Sequence, residues 1–216
     1  MLIILRLFLD LFFIMNYSVF TFLHDIIYFT INFIIIKGKN EMYLISIYFD
    51  EATEKRISRY MKQIGKVTGN TLMLDGKVPP HITIAAFHTE SDTAAREIFL
   101  RRKECLKAGN VQWVSVGMFL PGVIYITPIL NEYLHQLSEV FDKEMKDRSG
   151  ISVDYRYKPF HWLPHSTLGK HFTAEQLTAA LSVMQNNFTP FEGRVTKIGL
   201  AKTNPYMDLE VMYLLS

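Results

Sequence analysis

One cysteine and almost no net charge set the first limits. Cys105 is the only thiol in 216 residues, so an intrachain disulfide is excluded and metal clustering through sulfur is not expected. The expected compartment is the reducing cytoplasm. Lys and Arg number 23 against 21 Asp and Glu, which excludes the broad basic footprint of a duplex DNA binder and leaves any nucleic-acid contact local. A long uninterrupted apolar run is also missing. The first 36 residues are rich in Leu, Ile and Phe, yet Arg6, Asp10, His24 and Asp25 cut them into the uncharged stretches Leu11 to Leu23 and Ile26 to Ile36. Each is shorter than the roughly 20 residues of a spanning helix.

Residues 1–41 therefore read as a hydrophobic N-terminal extension, distinct from a domain over 42–216. Their Phe, Ile, Leu, Asn and Tyr content is what translation of an A/T-rich leader would yield, and "KGKNE" before Met42 can be encoded by a purine-rich run like a ribosome-binding site. Met42 is the expected start. The alternatives are a membrane anchor or a signal-like segment, so membrane attachment hinges on whether residues 1–41 are expressed.

From Met42 the pattern is that of a regular α/β protein. "MYLISIYF" (42–49) is rich in β-formers, and Asp50 can cap a helix whose apolar stripe is Ile57, Tyr60, Met61 and Ile64, closed by Gly69-Asn70. A strand over 81–87 and a helix over 92–108 follow, the latter with Ala95, Ile98, Phe99 and Leu106 inward and Arg101-Arg102-Lys103 on a solvated face. Strands over 111–119 and 123–129 join at Pro121-Gly122. A helix over 130–147 carries Leu130, Leu134, Leu137 and Phe141, and a polar, aromatic loop then leads to "HSTLGK" (165–170). A helix over 174–186 and strands near 191–202 and 206–215 complete the chain.

Two segments share one pattern, "VPPHITIAAF" from Val78 and "LPHSTLGK" from Leu163. Each is followed by a helix and two strands, and the spacing from His81 to Gly117 nearly equals that from His165 to Gly199. This order implies two similar lobes and an α+β fold with largely antiparallel sheets. On a strand, residues i and i+2 share a face, so His81 sits with Thr83 and His165 with Thr167, while Ile82, Ile84 and Leu168 turn toward the core. Seven histidines make one His-x-Thr unremarkable, but two preceded by proline are not a coincidence of composition. The third, His171 with Thr173, lacks the proline, and Thr173 to Gln176 fits a helix capping box instead.

Metal binding has little support. His161 and His165 are four apart, but Pro164 between them opposes the helix that would bring both to one ion. No metal and no cofactor are expected, and His24, His88 and His135 look incidental.

The two Pro-His-x-Thr segments, in a duplicated frame spanning about 42–216, resemble the paired motifs of the two-histidine (2H) phosphoesterase superfamily, which includes RNA 2',5'-ligase-like and cyclic phosphodiesterase proteins. Ser166 stands where that pattern usually has a hydrophobic residue, and Lys170 where Arg or Lys often follows. The resemblance implies that each lobe supplies one motif to a central cleft. His81 with Thr83 would then face His165 with Thr167.

The chemistry suits that arrangement. Opening a cyclic phosphodiester needs a base to take a proton from water and an acid to protonate the leaving ribose oxygen. Two imidazoles titrating near neutrality can hold both states at one pH. Each transfer is worth roughly 10²- to 10⁴-fold in rate, or about 3–5 kcal/mol. Thr83 and Thr167 can donate to the phosphate oxygens, and Lys170 can add positive charge there. Tyr125, Tyr157 and Phe160 are candidates to stack a base. The expectation is a monomeric, metal-independent phosphoesterase acting on a nucleotide or on an RNA 3'-end bearing a cyclic or 2',5'-linked phosphate. The alternative is a nucleotide- or RNA-binding module with little or no catalysis.

Overall fold

The computed structural model describes residues 41–102, 106–146, 148–203 and 206–215. Residues 1–40 of the extension, with His24, and also Cys105 lie outside them, so the expected start at Met42 is not addressed. Among the described residues no helix is long and apolar enough to cross a membrane.

Strand β1 (Glu41–Phe49) leads into helix α1 (Glu51–Thr68) and the single turn α2 (Leu72–Asp75), followed by β2 (Ile82–Thr89) and α3 (Asp92–Leu100). Next come β3 (Gly109–Phe119), β4 (Val123–Pro128), α4 (Glu132–Met145) and the short β5 (Ser152–Val153). A 3-10 turn (Tyr155–Tyr157) precedes β6 (Ser166–Gly169), α5 (Ala174–Asn187), β7 (Phe191–Thr203) and β8 (Tyr206–Tyr213). The expected helix boundaries hold where caps specify them. Asp50 accepts from the Thr53 backbone N–H at 2.9 Å, and Gly69 closes α1 in the left-handed conformation that suits glycine. Thr173 and Gln176 form a reciprocal capping box on α5.

Two helices are shorter than the periodicity suggests. Helix α3 stops at Leu100, because the chain from Leu106 to Ala108 runs extended against Leu215: Ala108 N–H donates to the Leu215 carbonyl at 2.7 Å and Leu215 N–H to that of Leu106 at 3.3 Å. Leu106 is buried as expected, but not on a helix. Leu130 lies outside α4 and is exposed, since Asn131 caps that helix by accepting from Leu134 N–H at 3.0 Å. Nor are Arg101 and Arg102 merely a solvated face. Arg102 lies 2.6 Å from the buried Glu144 carboxylate, which Arg101 approaches to 4.0 Å.

All eight strands of the described residues join one antiparallel sheet, ordered β5-β2-β1-β7-β3-β4-β6, with β8 also on β7. Strand β7 divides this sheet into lobes. Its first residues, 191–195, pair with β3, while 197–203 pair with β8 and 195–202 with β1. One lobe is therefore β2-β1-β7-β8 and the other β3-β4-β6 with the start of β7. The sequence repeat and the lobes do not coincide. The strand pair that follows the first motif builds the sheet of the second, and the reverse also holds. Helices α3 and α4 pack on the first lobe, α1 and α5 on the second. The core runs continuously under both, through residues such as Ile47, Ile57, Phe87, Trp113, Phe141 and Ile198.

Candidate active site

Both motifs enter their strands in the same way. The His81 Nδ1–H donates to the Pro79 carbonyl at 2.7 Å, and the His165 Nδ1–H to the Leu163 carbonyl at 2.9 Å. A carbonyl only accepts, so each Nδ1 must carry the proton, and in the neutral ring Nε2 is left with its lone pair. The residue that supplies the carbonyl precedes the motif proline, which cannot donate to it and holds the chain extended. Each strand then carries one extra residue directly after its threonine. Ser46 pairs with Thr83 and Ile45 with Ala85, passing over Ile84; Tyr125 pairs with Thr167 and Ile124 with Gly169, passing over Leu168. Ile84 and Leu168 are buried. Bulges of this kind re-aim neighbouring side chains, and here both fall at equivalent stations.

The lobes match further across the sheet. Ser46 stands between Thr83 and Gly199, and Tyr125 stands between Thr167 and Gly117. Both glycines make room for a tyrosine. A Cβ at Gly117 would lie 2.5 Å from the Tyr125 ring, and one at Gly199 would lie 2.8 Å from the Tyr48 ring. Tyr125 is 5.3 Å from His165 and Tyr48 is 6.3 Å from His81, centroid to centroid.

The surroundings of the two histidines differ. Tyr206 stacks on His81 at 6.5 Å and 27°, and the hydroxyls of Tyr48 and Tyr206, 2.9 Å apart, both reach Asp208 Oδ1, at 3.1 and 2.9 Å. Two phenol protons thus converge on one carboxylate beside His81. His165 instead has Phe119 edge-on at 4.9 Å and opens onto a cavity of 450 Å³ lined by Phe119, Arg156, Tyr157, His161, Trp162 and Leu163.

Burial pushes both imidazoles below their ordinary pKa of 6.5, each opposed by its carbonyl partner. The charge of His165 lowers His81 further, Asp208 raises it, and Lys170 lowers it. His81, His165, Asp208 and Lys170 therefore share one electrostatic neighbourhood, although they come from three strands, β2, β6 and β8, or from the residues that flank them. Lys170 is exposed at the end of β6, its carbonyl accepting from Asn70 Nδ2 at 3.1 Å. Thr83 is buried, with its hydroxyl 3.3 Å from that of Ser46, whereas Thr167 is half-buried beside Tyr125. Trp162 Nε1–H donates to the Thr83 carbonyl at 3.1 Å, which fastens the segment before the second motif to the strand of the first.

Of the proposed base-stacking residues, Tyr157 lines the cavity and Tyr125 borders His165, but Phe160 lies against His135 at 4.6 Å. His171 is exposed. Tyr48, Phe119, Trp162, Tyr206 and Asp208 had no motif to announce them. The i, i+2 spacing of Tyr206 and Asp208 placed both on one strand face, yet nothing local said which strand they would lie beside. Among the described residues no group of three or more His, Cys, Asp or Glu side chains could hold a metal ion.

A sequence profile of the 2'-5' RNA ligase superfamily matches residues 51–206, a span that includes both motifs. The chain belongs to the 2'-5' RNA ligase superfamily. The resemblance to two-histidine phosphoesterases is thus borne out, and the fold agrees. Solved structures of similar fold include Escherichia coli LigT complexed with 3'-AMP, at 15% identity and TM-score 0.56, covering 82% of this chain and 100% of that one. A protein described as a phosphoesterase aligns at 18% identity and TM-score 0.56, covering 82% and 100%. TT0787 of Thermus thermophilus aligns at 13% and 0.55, covering 80% and 97%. No curated protein matches this superfamily member.

Proposed function

We propose that the protein is a metal-independent phosphoesterase that acts on 2',3'-cyclic or 2',5'-linked phosphodiesters of nucleotides or RNA ends, with His81 and His165 as the acid and base. The observation that carries this reading is the matched tautomer. Each imidazole spends its Nδ1–H on a carbonyl two residues back, so both present Nε2 for proton transfer. They are also close enough that the charge of one lowers the pKa of the other. One of them is then the more readily protonated, which gives an acid and a base from two residues of one type.

For a cyclic substrate, the neutral histidine takes a proton from water on Nε2 as the water oxygen bonds to phosphorus. The bond from phosphorus to one ribose oxygen breaks, and the protonated histidine delivers its Nε2 proton to that oxygen. The rings have exchanged protonation states, and a proton returned through solvent resets them. Thr83 and Thr167 donate hydroxyls to the phosphate oxygens where charge builds, with Lys170 supplying a cation. The match to LigT, which has been crystallised with 3'-AMP, phosphate and ATP, supports a nucleotide phosphate as the ligand.

The test is turnover of a 2',3'-cyclic nucleotide by purified protein with and without EDTA, alongside His81→Ala and His165→Ala. Each histidine variant is expected to lose at least 10²-fold while remaining folded, and EDTA to have no effect. Wild-type turnover in either variant would overturn the acid–base pair.

A further inference from the structure

The loop that leads into the second motif reads Tyr155-Arg156-Tyr157-Lys158-Pro159-Phe160-His161-Trp162. Aromatic residues make up 13% of the chain but half of this octapeptide; Trp162 is in the core and Tyr157 packs against it, but core packing does not account for the other two. Phe160 is 83% exposed and Tyr155 68%. Phe160 is also held at φ 65°, a left-handed conformation that a bulky side chain adopts only at an energetic cost and that marks functional segments more often than inert ones. Basic side chains alternate with the rings. Arg156 is gripped on one edge by Asp154, Nε lying 3.0 Å from Oδ1, while no described residue engages its Nη1 edge.

Hydrogen bonds within the loop and to β2 order it. Asp154 N–H donates to the Ala86 carbonyl at 2.9 Å, Tyr157 N–H to Asp154 at 3.0 Å and His161 N–H to Lys158 at 3.0 Å, and Trp162 is anchored to Thr83. Arg156, Tyr157, His161 and Trp162 also line the cavity that ends at His165. A preformed segment that exposes two rings and two cations, and whose other side chains line the cavity at His165, matches what single-stranded nucleic acid requires, with faces for the bases and charge for the backbone.

We propose that residues 155–162 form a track for single-stranded RNA, which holds the nucleotides next to the one whose phosphate reaches His165. This rests on the phosphoesterase reading for the identity of the reacting group, and it makes the substrate an RNA end rather than a free mononucleotide.

Binding without turnover separates the two ideas. Protein carrying His81→Ala and His165→Ala is titrated into a fluorescent single-stranded RNA of about six nucleotides with a 3'-phosphate, a length within the usual range for such tracks. Adding Tyr155→Ala and Phe160→Gly, which remove the exposed rings and relieve the strained backbone, is expected to weaken binding about thirtyfold or more, at roughly fivefold or more per lost stack. Adding Arg156→Gln and Lys158→Gln instead is expected to flatten the dependence of log affinity on log salt by about 0.7 per lost contact. An unchanged unfolding midpoint verifies that each variant is folded. No RNA binding by the parent, equal affinity after ring removal, or equal affinity for a duplex of the same sequence would each overturn the track. Loop-dependent binding by a protein whose wild-type form hydrolyses nothing would sustain the track and overturn the phosphoesterase reading.

Discussion

Trp162 Nε1–H donates to the Thr83 carbonyl across 3.1 Å, so a residue three positions before His165 holds the strand that begins beside His81. The bond ties the two motifs to each other more directly than the sheet does, since β2 and β6 lie at nearly opposite ends of the strand order. Trp162→Phe keeps most of the buried ring and removes only the donor. It is expected to destabilise the protein by about 1–3 kcal/mol, the range for a buried group left unpaired. Turnover should fall by more than KM rises, because the histidines lose their mutual alignment. Denaturant unfolding and steady-state kinetics measure the two effects.

The pH dependence follows from burial of both rings. Each histidine titrates below 6.5 in the folded protein, and the proposed mechanism needs one ring protonated while the other is neutral. The alkaline limb of kcat/KM, which reports the free enzyme, is therefore expected to fall below pH 6.5 and to continue through neutrality. A plateau from pH 7 to 9 would contradict this. The same shifts act on stability. The unfolded chain binds protons at these histidines before the folded one does, so their contribution to stability is intact above 6.5 and is lost as pH falls through the lowered folded values. Unfolding midpoints between pH 5 and 8 should show that decline on the acid side.

Lys170 and Asp208 act on His81 in opposite directions. Lys170→Met should raise the titration midpoint of His81, and Asp208→Asn should lower it, both followed by NMR of the imidazole protons. Lys170→Met should also raise KM for a phosphodiester, since it removes a cation beside the phosphate. Asp208→Asn should also loosen Tyr48 and Tyr206, whose hydroxyls both depend on that carboxylate. Movement of His81 in the same direction in both variants would refute the assigned electrostatics.

Gly117 and Gly199 offer matched probes of the two half-sites. Gly117→Ala sets a methyl 2.5 Å from the Tyr125 ring, while Gly199→Ala meets the Tyr48 ring at 2.8 Å and the Glu210 carbonyl at 2.9 Å. A ring can swing and a backbone carbonyl cannot, so Gly199→Ala is expected to cost more stability, about 1–3 kcal/mol. Gly117→Ala should show mainly in activity, because Tyr125 is displaced toward His165. Comparing unfolding free energies with turnover for the pair distinguishes the two cases.

Much of this site could be read from residues that act locally. Proline before histidine and threonine two beyond it are facts of one strand, and Asp50 and Thr173 announce helix starts through their own side chains. What stayed hidden depends on distant partners. Asp208 and Tyr206 look ordinary in a terminal strand until Tyr48, 158 residues before Tyr206, is brought beside them. Arg101 and Arg102 read as surface because Glu144 lies on another helix. The truncation of α3 could not be seen in its apolar spacing either, since Leu106 is buried whether it stands on a helix or in an extended segment held by Leu215.

The crossed use of strands has a consequence for how the protein can be divided. A break in the Ile129–Asn131 connection would leave β1 to β4 on one fragment and β5 to β8 on the other, and each lobe needs strands from both. Neither fragment could fold alone into a working half, although each carries a complete motif; mixing the two should restore what either lacks. A growing chain has no finished cleft until β7 and β8 have emerged, so the proposed acid–base pair would be an all-or-none property of the completed polypeptide.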